Sequence, residues 1–459
     1  MKRANLTIRT LMVTGLSLAI AGGMTSCKKE GCTDSAATNY DEKAKKDDGS
    51  CILPTPDPVG PTQGAETKTG KISADETWTS NIIYTLNGKV IVESGATLTI
   101  EAGTIIKGAE GQLASASALV VAQGGKLMAE GTAEKPIIFT SVLDNITYDQ
   151  KVGTNLKKTD NEKWGGVVIL GKAKSSTENG DTEGNIEGIP ASDGYGKYGG
   201  ADDADNSGIM SYVSIRHGGI SIGEGNELNA LTLGGVGNGT KISNIEIYAT
   251  LDDGIECFGG SVDISDALVF YQGDDGIDLD QNYSGTISGF AVIHGDGIGT
   301  DEALEVDGPE GSTYTTGKFT LTNGICKTEG AKGTPGDFKS GAQGNVTNVT
   351  FMYTGADKKA IKFRTKFDDA TACNHKSDAY KNLIDGNLTF TGVKSDADID
   401  VYDGDNNDPA ICTQQLTDAL ASGKAKVVIS GSGSSYDYKT KFSWGAAANN
   451  GRHAELRAW

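Results

Sequence analysis

The sequence predicts an all-β chain built as a right-handed parallel β-helix, a solenoid with coils of about 22–25 residues and loops inserted at its corners. Three observations predict it. First, a pattern with apolar residues at i, i+3 and i+5 recurs as Ile242, Ile245 and Ile247, then Ile264, Ala267 and Val269, then Ile287, Phe290 and Val292. The starts lie 22 and 23 residues apart, later copies begin at Leu321 and Val346, and Met210, Val213 and Ile215 fit the frame upstream. Short strands in a unit this size are too little for a propeller blade, and the leucine ladder of leucine-rich repeats is missing. Stacked coils remain, each burying its inward side chains on the next. Second, 64 of 459 residues are Gly. Without a three-residue period, that excess excludes collagen and supplies tight turns. Third, short Val/Ile/Thr runs alternate with Gly and Asn, with almost no helical periodicity; one possible helix covers Thr413 to Ser422.

Residues 1–26 read as a secretory signal peptide. Lys2, Arg3 and Arg9 form a basic start, Leu11 to Met24 an apolar stretch, and Gly23-Met24-Thr25-Ser26 a small-residue exit before Cys27. A Cys at such an exit resembles the lipobox of bacterial lipoproteins. The resemblance implies that Cys27 is acylated, with palmitate-type chains, and becomes the first residue of a lipid-anchored protein, although Met24 stands where Leu is usual. Several acyl chains on one residue anchor stably without a spanning helix. Cleavage leaves 38 basic and 61 acidic residues, a net charge of −23. That charge argues against nucleic acid or an anionic membrane surface as a direct partner.

Residues 27–64 form a tether. Cys32 and Cys51 bracket a short polar segment with no core of its own, so a disulfide is expected there. The segment resembles a small Cys-paired, Asp-rich module that recurs in surface proteins of Bacteroidota-type bacteria. Pro54, Pro56, Pro58 and Pro61 then make a stiff, extended linker. The β-helix is assigned to residues 65–430, and residues 431–459 to a C-terminal cap or tail. Cys373 and Cys412 are a plausible second pair; the pairing of Cys257 and Cys326 stays open. No Cys-x-x-Cys spacing occurs, which argues against zinc.

Residues 65–445 resemble a family of exported right-handed β-helix proteins from Gram-negative bacteria. The strings GATLTIEAGTIIKG, WGGVVILGKA, DDADNSGIMSYVSIRHGG, NELNALTLGGVGNGT and DDGIECFGGSV carry the resemblance. It implies fold and export, and carries no settled activity.

The chemistry lies in the acids. Between Lys241 and Lys318, 76 residues contain no Lys or Arg and 16 Asp or Glu. In this window Asp252-Asp253-Gly254-Ile255-Glu256 recurs 22 residues later as Asp274-Asp275-Gly276-Ile277-Asp278. One coil of a β-helix lies about 4.8 Å above the last. Two carboxylates that close repel by roughly 3 kcal/mol at an effective dielectric of 20. A ladder of such pairs needs a cation, raised pKa values or splayed rotamers. Ca²⁺ suits clustered carboxylates in an exported protein. Asp-Gly pairs serving only as corner turns explain the same string. A second candidate calcium loop opens at Asp203, Asp205 and Ser207, without the acid expected at its twelfth position, where Ser214 stands. Asp403-Gly-Asp405-Asn-Asn407-Asp408 is a weaker match.

An enzyme reading competes. Parallel β-helices carry polysaccharide lyases and glycosidases, and inverting glycosidases use paired carboxylates. The candidates are Asp252, Asp253, Asp274, Asp275 and His217, which resemble the Asp residues and Gly-His-Gly segment of polygalacturonases. The order departs from that family, since His217 precedes both Asp pairs and no Arg-Ile-Lys follows; the acid window also offers no basic residue for a lyase. The expectation is therefore a lipoprotein of the outer membrane, at the cell surface, presenting a calcium-stabilised β-helix. Its role would be ligand recognition, such as an extracellular glycan, or scaffolding beside an outer-membrane protein complex. A polysaccharide-processing enzyme is the alternative.

Overall fold

The computed structural model describes residues 29–53, 62–178, 180–223, 226–294, 301–328, 333–353, 359–367, 372–404 and 412–450. The signal peptide, Cys27, most of the Pro-rich linker and Asp405 to Asp408 lie outside the described residues. Two compact units divide between Thr62 and Gln63. In the first, a disulfide joins Cys32 to Cys51. Around it, the carboxylates of Asp34, Asp41 and Asp48 each accept a hydrogen bond at 2.9 Å from the backbone N–H two residues on. These Asx turns hold a loop that has little apolar burial to hold it.

The second unit is a right-handed parallel β-helix, its strands wound into one 25-stranded sheet with three long ladders. One coil illustrates all. The strand Lys241–Tyr248 pairs in two segments: its first half stacks on Ile209 to Ser211 and its second on Val213 to Arg216. The bend between the halves falls at Asn244, whose φ is 53°. We call the two halves faces A and B; after a second corner, Ile255–Phe258 supplies face C. The bend recurs one coil apart at Tyr212, Asp266, Gly289, Asn323 and Asn348, all with positive φ. Asn, Asp and Gly tolerate this left-handed conformation best. A left-handed residue inside a strand shifts the side-chain alternation by one. Residues i and i+3 therefore both point inward, and i+5 follows.

The repeat seen in the sequence is the register of the structure. Met210, Ile242, Ile264, Ile287 and Leu321 pair in order on face A, as do Ile215, Ile247, Val269, Val292 and Cys326 on face B. Stacking also sets size. Gly324 pairs with Phe290, and a Cβ on Gly324 would lie 2.0 Å from the Phe290 ring. Cys257 and Cys326 are buried as free thiols on faces C and B. Cys373 and Cys412 form the second disulfide.

The ends are closed differently. At the first coils Trp78 stacks on Tyr84 at 4.9 Å, and the Lys68 ammonium lies 5.5 Å from the Tyr84 ring centre. At the last, helix Thr413–Lys426 packs on strand Ile399–Asp403 and buries Ala419 and Gly423. Among the described residues this helix covers the last coils. Residues 431–450 instead run back along the outside of face B. There Phe442 and Trp444 bury against the cluster of Tyr248, Leu268 and Phe270. The Glu246 carboxylate accepts from the backbone N–H groups of Ala446 and Ala447, at 2.7 and 3.0 Å. No helix among the described residues is long and apolar enough to cross a membrane.

Candidate functional site

Face C positions the acids. In Ile255-Glu256-Cys257-Phe258, strand alternation turns Ile255 and Cys257 inward and leaves Glu256 and Phe258 outside. Parallel register then stacks Thr232, Glu256, Asp278, Glu305, Asp337 and Lys362 in one outward column. The corner before face C builds a second column. There the Asp253 N–H donates to Asn229 Oδ1 (3.2 Å), Asp275 N–H to Asp253 Oδ1 (2.9 Å), and Glu302 N–H to Asp275 Oδ1 (2.5 Å). Each of these side chains ties down the backbone of the coil above.

The two columns converge. Carboxylate oxygens of Asp252, Asp253 and Asp274 lie within 4.8 Å of one another, as do those of Asp253, Glu256 and Asp278. The strip continues through Asp275, Glu302 and Glu305 to Asp278, Glu305 and Asp307. All six acids of the repeated string therefore meet in one place. Glu302, Glu305 and Asp307 extend it, and the sequence held a signal for the first two: Asp301-Glu302-Ala303-Leu304-Glu305 is a third copy with Ala in place of Gly. Glu187 and Glu227, on two surface hairpins that act on Asp252 electrostatically, carry no such signal; only folding brings them over face C.

The charge is unevenly compensated. Lys339 pairs with Glu305 and lies 3.7 Å from Asp307, while Lys362 reaches Glu302 at 3.2 Å and Asp337 at 3.9 Å. Both lysines follow the positive-free window in sequence and return to it in space. Asp252, Asp253, Glu256, Asp274, Asp275 and Asp278 make no ion pair among the described residues, and Asp278 Oδ1 is buried with no hydrogen-bond partner. Burial pushes the Asp252 carboxyl up to about 8, and Asp274, Glu227 and Glu187 add to the shift. Burial first and neighbouring carboxylates second also raise Asp253, Glu256, Asp275 and Asp278 well above the usual range.

The other sequence candidates stand apart. Asp203 pairs with Lys174 at 2.5 Å, and Asp205 accepts from the Ser207 hydroxyl at 3.2 Å; neither joins the strip. His217 is buried at a corner with φ 57°. Its Nδ1 lies 2.6 Å from the Asp160 carbonyl, which can only accept, so Nδ1 carries the proton. Burial lowers its pKa to about 4, leaving a neutral ring at pH 7. The positive φ also brings Arg216 and His217 into one small hollow, where simple strand alternation would place them on opposite faces.

Beside the strip lies a cleft of about 680 Å³. Its hairpin, strands Glu183–Asn185 and Lys197–Gly199, sits over apolar residues outside face C, among them Val120, Val168 and Leu170. Tyr198, Phe258, Gln281, Glu187 and Leu113 line the cleft. Tyr195 and Tyr198 belong to this cluster, whereas Tyr212 packs on Trp444 at the face-B side.

The chain belongs to the family of pectate-lyase-like β-helix domains, whose model matches residues 70–447. No curated protein matches the chain. No solved structure matches it either.

Proposed function

We propose that this protein is a lipid-anchored surface β-helix that binds Ca²⁺ in the face-C strip and serves as a recognition or scaffolding platform. One observation carries the calcium reading: two triplets that share Asp253, Asp252 with Asp274 and Glu256 with Asp278, each lie within ligand distance without an ion pair, and one buried oxygen of Asp278 has no partner. Carboxylate oxygens without nitrogen or thiolate ligands suit a hard cation. Bound there, Ca²⁺ would offset the repulsion between coils; the residues themselves hold the coils in register through the Asp253 and Asp275 hydrogen bonds. The anchor rests on the exit motif at Cys27. The acylated tether would place the helix at the outer membrane, beside a membrane protein complex or an extracellular glycan.

Calcium titration by calorimetry into the chain lacking residues 1–26 tests the site. Binding is expected, and the double variant Asp252→Asn with Asp274→Asn should weaken it at least about tenfold, since each loses a charged ligand. An ion bound only by the folded state adds about 2.7 kcal/mol at a hundredfold excess over Kd, so chelation should lower the melting temperature. The absence of both binding heat and a chelator effect would leave the Asp pairs as corner turns. Cleavage of a polysaccharide abolished by the same substitutions would move the function to the enzyme reading. For the anchor, Cys27→Ser should abolish acyl labelling and detergent partitioning; unchanged partitioning refutes it.

A further inference from the structure

The cleft beside the acid strip has features that calcium does not use. Its size falls in the range of small-molecule sites. Two aromatic rings line it, Tyr198 and Phe258, with centres 5.9 Å apart and planes tilted by 51°. Tyr198 is held in place by donating its hydroxyl to Gln281 Oε1 at 2.8 Å. At the lip stands Leu113, 57% exposed and in a left-handed backbone conformation, φ 54°. An exposed leucine held in a strained conformation is the kind of feature that persists at ligand clamps.

Charge decides what fits. Glu187 is the charged residue of the lining, and no lysine or arginine is among the described residues there. Asp280, Glu310 and Glu256 act electrostatically on Tyr198, and Glu187 is coupled in the same way to Glu227 and Glu256. Burial first and Glu227 second push the Glu187 carboxyl up to about 7. Rings present their negative faces to cations. A pocket combining aromatic faces, aliphatic walls from Ile186 and Ile189 and uncompensated carboxylates rejects anions and favours a cation with an apolar body.

We propose that the cleft binds a small organic ammonium ion, its apolar part against Ile186, Ile189 and Leu113 and its charge between Glu187 and the rings of Tyr198 and Phe258. This goes beyond the calcium reading and uses different residues.

The test is calorimetric titration of the chain lacking residues 1–26 with 2-phenylethylammonium, against 2-phenylethanol and phenylacetate as neutral and anionic counterparts. Each titration is run in excess calcium and again in chelator. The ammonium ion should bind in both, the alcohol about tenfold more weakly, and phenylacetate not measurably. Glu187→Gln should lower ammonium affinity about tenfold and leave the alcohol unchanged. Phe258→Leu keeps apolar bulk and loses the ring face, so it should weaken the ammonium ion selectively. Absence of ammonium binding, equal affinity for all three probes, or wild-type affinity in Glu187→Gln would overturn the proposal. Loss of calcium binding leaves it intact, so the two readings fail separately.

Discussion

Asp253 Oδ1 accepts a hydrogen bond from the backbone N–H of Asp275, 2.9 Å away and 22 residues later in the chain. The same acid therefore repels its stacked neighbour through its charge and fixes that neighbour's backbone through its oxygen. These two roles separate by substitution. Asp253→Asn keeps Oδ1 as acceptor and removes the charge, whereas Asp253→Ala removes both. In chelator, denaturant melts should show Asp253→Ala destabilised by about 1–3 kcal/mol, the cost of an unsatisfied buried N–H. Asp253→Asn should match or exceed wild type. Equal destabilisation in both would mean that the charge itself is needed.

Stability should fall with rising pH in the absence of calcium. Burial raises Asp252 to about 8, while an unfolded Asp titrates near 4. Between these values the folded state holds more protons, so the slope of stability with pH is negative. Asp253, Glu256, Asp275 and Asp278 shift in the same direction. Melting temperatures in chelator should drop steadily from pH 5 to pH 8, and saturating calcium should flatten the curve. A chelator profile that rises over this range would contradict the raised acids.

Gly324→Ala should destabilise by about 1–3 kcal/mol, because its methyl would collide with Phe290 in a packed core. Phe290→Leu alone leaves space over Gly324 and also costs stability. Combined, the two should recover part of the loss, since the smaller side chain makes room. Strict additivity of the two costs in denaturant melts would show that the residues do not share one site.

Trp444→Ala should cost about 3–5 kcal/mol and expose apolar surface outside face B, since the indole is almost wholly buried there. Binding of a hydrophobic dye is the readout. Glu246→Ala should loosen the same segment by removing the acceptor for Ala446 and Ala447. Faster hydrogen exchange over residues 436–450 than over the coils beneath checks this. Unchanged dye binding and exchange in both variants would show that this segment is not held by these contacts.

The β-helix, its coil length and its strand register were legible in the sequence. Each coil repeats one physical problem, burying the same inward positions on the coil below, and the solution recurs as Ile242, Ile264 and Ile287. The meeting of Asp252, Asp253, Asp274 and Asp275 was legible for the same reason, because a 22-residue period becomes one strand spacing. Residues that depart from the period depended on tertiary structure. Lys339 and Lys362 come from later coils to neutralise Glu302 and Glu305, so a basic-free stretch of sequence is only partly basic-free in space. Glu187 reaches face C on a hairpin, and residues 431–450 return along face B; insertions and tails carry no period, so apolar burial and hydrogen bonds alone decide where they lie. His217 joins Arg216 in one hollow outside face B because a left-handed residue at the corner reverses strand alternation, which local pattern cannot foresee.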